Sequence, residues 1–199
     1  MDRWLDVFGA RCAGCGAFGE ALCEECRHGL TAPERVVAPE HVDALWAAFR
    51  YSGAARKLVL DLKLHHLRPA AAPLATAMVD RMWTDGCEAR VVTWVPGRPK
   101  DMLDRGFDHA HVLARRVARA TGLPLRRLLH RVGEARDQTE LDRQQRRENV
   151  IGAFAGRDVR LPVLLIDDLV TTGATSGACA TALKWAGAPR VEVLVACCA

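Results

Sequence analysis

Leu164-Leu165-Ile166-Asp167-Asp168-Leu169-Val170-Thr171-Thr172-Gly173-Ala174-Thr175 decides how this chain is to be read. An unbroken apolar run, Val163 to Ile166, has the character of a strand buried on both faces of a parallel sheet. Two adjacent carboxylates follow at its carboxyl end, and a Thr/Gly-rich turn then opens into a helix over 174–186, closed by Gly187. Such a turn offers unpaired N–H groups and the positive end of a helix dipole, which suits a phosphate. The acids would repel that phosphate. They suit vicinal hydroxyls, as on a ribose, or a hydrated magnesium ion. Anion on the turn and hydroxyls on the acids describe a sugar phosphate, bound where open α/β sheets take ligands. A lone Asp-Asp or Thr-Thr-Gly would be read more simply as a helix cap with acidic neighbours.

Outward from this stretch, strand-like and helix-like segments alternate. His41–Tyr51, Val91–Val95 and Val191–Cys197 read as strands; Gly53–His65, a segment from Pro69 to Trp83, and Phe107–Thr121 read as helices. The alternation predicts an α/β fold with a parallel sheet flanked by helices. From Leu125 to Phe154 the rhythm breaks: the stretch is dense in Arg, Glu and Gln, and reads as a solvated helix or a mobile loop.

Four of the 8 cysteines open the chain as Cys12-x-x-Cys15 and Cys23-x-x-Cys26. A doubled C-x-x-C brings four thiolates to one tetrahedron, so these four are candidate ligands of a structural zinc ion with no open coordination position. A disulfide framework fits poorly with the lack of a secretory leader. A redox C-x-x-C usually comes singly, beside a βαβ pattern. The same segment spells Gly14-x-Gly16-x-x-Gly19, the dinucleotide fingerprint, but without the strand and helix that motif needs. The expected organisation is a zinc knuckle over 1–32, a linker over 33–40 and the α/β domain over 41–199.

The chain has 199 residues, half of them hydrophobic, and Lys plus Arg exceeds Asp plus Glu by 28 to 24. A net charge of +4 permits a polyanion partner without demonstrating one. No apolar stretch approaches the ~18 residues of a membrane span, so a cytoplasmic location is expected. A Gly-Lys phosphate loop is absent, which speaks against an ATPase. Ser52 and Ser176 are the only serines, and neither lies in G-x-S-x-G. His109 and His111 fall on opposite sides of a helix, and all 7 histidines read as surface or partly buried groups without a catalytic role.

Ile166 to Thr175 resembles the phosphoribosyl pyrophosphate (PRPP) motif of type I phosphoribosyltransferases. Further segments narrow the resemblance to ComF-like competence proteins: the double C-x-x-C, Tyr51-Ser52-Gly53 with Leu62-Lys63, Val95-Pro96, Arg105-Gly106-Phe107, and Gln138, Leu141, Arg146, Asn149-Val150 and Ala153-Phe154 in that order. The resemblance implies a type I phosphoribosyltransferase-like domain that binds PRPP with Mg2+. It implies that Asp167 and Asp168 bond the ribose hydroxyls, and that Thr171, Thr172, Gly173, Ala174 and Thr175 wrap the 5-phosphate. Pro96, Gly97 and Arg98 match the pyrophosphate loop, with Arg98 adding charge. The stretch from Arg131 to Arg146 matches a flexible loop that closes over PRPP, and makes Arg131 a catalytic candidate with the two acids.

The implied reaction is displacement of magnesium pyrophosphate from the anomeric carbon through an oxocarbenium-like state. Family members usually carry Asn-Gln where this chain has Asp108-His109, and a Thr before Gln138 is replaced here by Glu134-Ala135-Arg136. The resemblance also implies a part in DNA uptake, with single-stranded DNA and a competence helicase as partners. Arg115, Arg116, Arg119, Arg126, Arg127, Arg131, Arg143, Arg146 and Arg147 supply positive charge for that, without the interleaved aromatics that single-strand binders show. A solvated arginine face remains the plainer alternative. A PRPP-modulated repressor is the weakest alternative, because no helix-turn-helix is evident.

Overall fold

The computed structural model describes residues 11–33, 36–64, 67–99, 106–132, 150–151 and 153–199. Its centre is a four-stranded, fully parallel sheet made of β1 (Ala44–Arg50), β2 (Val91–Trp94), β6 (Val163–Val170) and β7 (Val191–Cys198), in the order β1-β7-β6-β2. The chain at 124–126 lines the free edge of β2: Val92 N–H donates to the Pro124 carbonyl, and Arg126 N–H to that of Val92.

Helices α2 (Gly53–Leu64), α3 (Ala71–Thr84) and α4 (His109–Thr121) cover one face of the sheet, and α5 (Ala174–Trp185) covers the other. Because strand side chains alternate between faces, Leu164 and Ile166 pack with α2, α3 and α4, while Val163 and Leu165 pack with α5. Burial on both faces explains the continuous apolar run of β6. The expected strands and helices are all present, with ends differing by a few residues. β6 runs four residues beyond Ile166, to Val170, so the acids lie inside the strand and not after it.

β7 carries one charge in its apolar run, and the packing accounts for it. Glu192 is fully buried, yet its carboxylate accepts from Glu88 N–H, Ala89 N–H, the Cys87 thiol and Arg190 Nε. A buried charge held by that many donors anchors the turn before β2. It also fastens the amino-terminal end of the sheet, opposite the acid pair.

Within the stretch over 125–154, which reads as a solvated helix or a mobile loop, the described residues are extended and not helical. They build β3 (Leu129–Arg131), β4 (Val150–Ile151) and β5 (Phe154–Gly156), a small antiparallel sheet in the order β3-β5-β4. Sparse aliphatics hid it, because the sheet needs only Leu128, Leu129 and Phe154 to seat on the α5 side of the core. A Cβ at Gly156 would fall 2.4 Å from the Ala182 carbonyl, so glycine is what lets β5 approach α5. The flexible-loop stretch expected beyond Val132, with Gln138, Arg143, Arg146 and Arg147, lies outside the described residues, as do Arg105, His65 and His66.

The cysteine segment shares this core. Cys12, Ala13 and Leu22 belong to the same buried cluster as Leu58, Leu62 and Leu74 of α2 and α3. Among the described residues no helix is long and apolar enough to cross a membrane.

Candidate functional site

The acid pair sits at the carboxyl end of β6. Asp167 is 8% exposed and Asp168 3%, so neither carboxylate can rely on water. Alternation sends Asp168 to the α2–α4 face. There it meets Lys63 Nζ, from the last turn of α2, at 3.1 Å, and His109 Nε2, from the first turn of α4, at 3.3 Å. Asp167 accepts the Asp168 backbone N–H through Oδ1 at 2.9 Å. Ligating atoms of His109, Asp167 and Asp168 all lie within 4.8 Å of one another.

Two carboxylates this close and this dry cannot both ionise freely. Burial pushes Asp167 well above the usual carboxylate range, and the charge of Asp168 adds to the push. Burial acts on Asp168 in the same direction, but His109 and Lys63 outweigh it and hold that carboxyl below its ordinary value. The pair is therefore unequal: Asp167 keeps its proton to higher pH than Asp168 does.

Thr171 to Thr175 follow directly. Gly173 takes φ 77° as the N-cap of α5, a left-handed conformation that favours glycine. The turn closes through Gly177 N–H to the Gly173 carbonyl, and Thr172 Oγ1 accepts the Ala174 N–H. Thr171, Thr172, Ala174 and Thr175 are exposed, which leaves the helix N-terminus open to an anion. Pro39, from the segment expected to be a linker, packs against Gly173 and Gly177; a Cβ on Gly173 would meet its ring at 3.1 Å. Residues 36–39 and the turn thereby enclose a cavity of about 320 Å³.

Pro96, Gly97 and Arg98 leave the carboxyl end of β2, the strand beside β6. Asp108 organises this loop. Its Oδ2 accepts from Gly97 N–H and Trp94 Nε1, while Oδ1 caps α4 by accepting from Ala110 and His111 N–H. Arg131, on β3, donates from Nε to the Pro96 carbonyl at 2.9 Å and lays its guanidinium over Phe154, 4.6 Å from the ring centre. Arg98 is exposed beside the same loop.

The sequence-expected residues thus converge from the ends of β6 and β2, from the α5 N-terminus and from β3. Lys63, His109 and Asp108 join them without having been expected there. His109 is partly buried, as the sequence reading allows for every histidine, and its ring touches Asp168. Each had a signal. Lys63 follows the inward-facing Val59 by one helical turn, and Asp108 precedes a helix by one residue, as an N-cap does.

The cysteines form a second centre, remote in sequence from the first. The Sγ atoms of Cys12, Cys15, Cys23 and Cys26 lie within 4.8 Å of one another, with 3.6 Å from Cys12 to Cys23 and 3.7 Å from Cys15 to Cys23. A tetrahedral thiolate site with Zn–S of ~2.3 Å has S···S edges of about 3.8 Å, so the donor set fits. Gly14 and Cys23 N–H groups donate to the Cys12 sulfur. Burial would raise the Cys12 thiol, but the N–H groups of Cys23, Cys15 and Gly14 bring it down to about 6. The Cys26 thiol, crowded by Cys23 and Cys12, is pushed up to about 12. α1 (Glu24–His28) starts immediately after Cys23.

No protein-family model matches the chain, and no curated protein does. Solved structures do. The chain is similar to the allosteric regulatory enzyme of purine biosynthesis, at 25% identity and a TM-score of 0.45, over 65% of this chain and 26% of that one. It is also similar to glutamine PRPP amidotransferase from B. subtilis, solved with ADP and GMP, at 23% identity and a TM-score of 0.42, over 65% of this chain and 27% of that one. A third is the purine phosphoribosyltransferase of Pyrococcus horikoshii Ot3, at 16% identity and a TM-score of 0.33, over 63% of this chain and 71% of that one. The chain spans little more than a quarter of the length of the first two.

Proposed function

We propose that this chain binds PRPP with magnesium and transfers its phosphoribosyl group, in the manner implied by its resemblance to ComF-like proteins. One observation carries the reading: an exposed turn over Thr171–Thr175 at a helix N-terminus closely follows a buried Asp167–Asp168 pair, with the Pro96–Arg98 loop leaving the neighbouring strand. The 5-phosphate takes the α5 N-terminus and its threonine hydroxyls. The ribose hydroxyls meet the acids, donating to Asp168. The diphosphate lies toward Gly97, Arg98 and Arg131.

The acceptor's lone pair then forms the bond to the anomeric carbon, while the carbon–oxygen bond to diphosphate breaks and its electron pair leaves with the diphosphate. Magnesium, when bound with the diphosphate, neutralises part of that charge. The protein's own contribution is position and charge, and no side chain forms a covalent bond. The four cysteines hold structural zinc, supported by S···S distances that match a tetrahedral thiolate site.

Calorimetric titration of the zinc-loaded chain with magnesium PRPP tests this reading. Saturable binding that disappears in Asp167→Ala/Asp168→Ala is expected. A folded chain that takes up no PRPP overturns it.

A second reading keeps the fold but assigns it to DNA uptake, with single-stranded DNA and a helicase as partners and PRPP as a signal or no ligand at all. Its structural support is a basic group beside the antiparallel sheet: Arg126 and Arg127 ahead of β3 and Arg157 after β5 lie exposed, and the pKa of His130 is lowered by desolvation and then by the charges of Arg157 and Arg127. Strand binding would weaken by ~0.7 log units per log of salt for each phosphate neutralised, and a flat salt response excludes it.

A further inference from the structure

Asp168 is the meeting point of three elements, and two of its neighbours have no part in the chemistry described above. We infer that Lys63 and His109 are positioning residues, which fix Asp168 between α2 and α4 as the acceptor that selects a hydroxylated sugar. The inference rests on the proposed binding of PRPP and deepens it.

The geometry is specific. Lys63 Nζ and His109 Nε2 approach the same oxygen, Oδ2, at 3.1 and 3.3 Å, from helices that flank the strand. Asp168 and His109 side chains are 4% and 12% exposed, whereas Lys63 keeps 34% of its side chain in solvent. A buried carboxylate with partners on one oxygen has its rotation stopped and its orientation set. Among the described residues, the titratable groups facing it divide into two kinds. Lys63 and His109 favour its charge, whereas the adjacent Asp167 on β6 and Cys197 on β7, whose thiol is raised by burial and by Asp168, do not.

Asp108 places His109, because its cap fixes the first turn of α4 and thereby the direction of the next side chain. Leu58, Val59 and Leu62 place Lys63 by seating α2 in the core. Without this clamp, two buried acids side by side would compete for one proton, and either could turn away from the sugar. With it, the roles are assigned before any ligand arrives, which is how a site is preorganised.

The test is binding of three probes to the full chain: magnesium PRPP, ribose 5-phosphate and 2-deoxyribose 5-phosphate. Lys63→Met and His109→Ala are expected to weaken PRPP at least about tenfold and to erase the preference for ribose over 2-deoxyribose, because removing one partner of a buried ion pair leaves the carboxylate uncompensated. Lys63→Arg and His109→Gln, which can still donate, should keep most of the preference. Equal loss of both sugar phosphates marks a merely structural role and overturns the inference.

A wild-type chain that binds none of the probes refutes the PRPP reading. The clamp is then judged by the carboxyl carbon resonance of Asp168 followed from pH 3 to 8. A titration moved to higher pH in Lys63→Met/His109→Ala supports the clamp, and an unmoved one overturns it.

Discussion

Arg131 Nε donates to the carbonyl of Pro96 at 2.9 Å, joining the antiparallel sheet to the loop that leaves β2. Because the same guanidinium rests on Phe154, one side chain sets the spacing between the two walls of the candidate site.

Arg131→Ala removes both contacts. We expect a loss of about 1–2 kcal/mol in urea unfolding. We also expect magnesium PRPP to bind roughly tenfold more weakly, about 1.4 kcal/mol, in the calorimeter. Arg131→Lys should restore little, since an ammonium cannot reproduce a planar donor that also stacks. Full rescue by lysine would mean that only charge matters at this position.

Gly173→Ala combines two penalties, a positive φ and a Cβ at 3.1 Å from Pro39. A melting measurement should show about 1–2 kcal/mol of destabilisation. Pro39→Ala in the same background should recover part of it, because the steric half of the cost disappears while the backbone half stays.

Asp167→Asn is expected to stabilise the chain at neutral pH while weakening sugar binding. Its folded carboxyl titrates above the unfolded value of ~3.9, so between those two pH values the native state holds more protons than the unfolded one, and stability falls as pH rises. Asparagine has no proton to lose, so the variant gains on the parent as pH rises through that window. Melting temperatures of both proteins at pH 4 and pH 8 check this. The gap must widen at the higher pH.

Gly14→Ala should empty the cysteine centre without touching a cysteine, because the new Cβ would lie 2.4 Å from the Cys26 sulfur. Metal analysis after purification should find zinc in the parent and little in the variant. Metal release should also be steep in acid. The Cys26 thiol, at about 12 without metal, gives up its proton only to an ion, and falling pH returns that proton.

The sequence announces what is continuous along it. β6, the acid pair, the glycine turn and the doubled C-x-x-C each occupy one stretch, so period and spacing suffice. Lys63 and His109 are harder to see because what defines them is distance to Asp168 in space, set by how α2 and α4 pack. The antiparallel sheet is illegible for a related reason. Two-residue and three-residue strands among arginines carry no period, and β5 is seated by a close backbone approach at Gly156 that hydropathy does not register. Pro39 reads as spacer in the sequence, since proline marks breaks, whereas in the structure its ring packs on the turn before α5.

Helix α2 begins beneath the cysteine centre and ends on the acid pair. A Cβ at Gly14 would lie 3.6 Å from the Ala54 methyl, near the first residue of α2, and Lys63, one residue before its end, holds Asp168. Nine residues of rigid helix, ~14 Å long, connect the two. Thermodynamic reciprocity then joins two chemistries that share no atom: if losing the metal lets α2 tilt, sugar affinity falls, and by the same factor a bound sugar tightens the hold on the metal. The cysteines would then act as a remote adjustment on a carboxylate, and the availability of a metal ion would become readable in how well a phosphorylated sugar is retained.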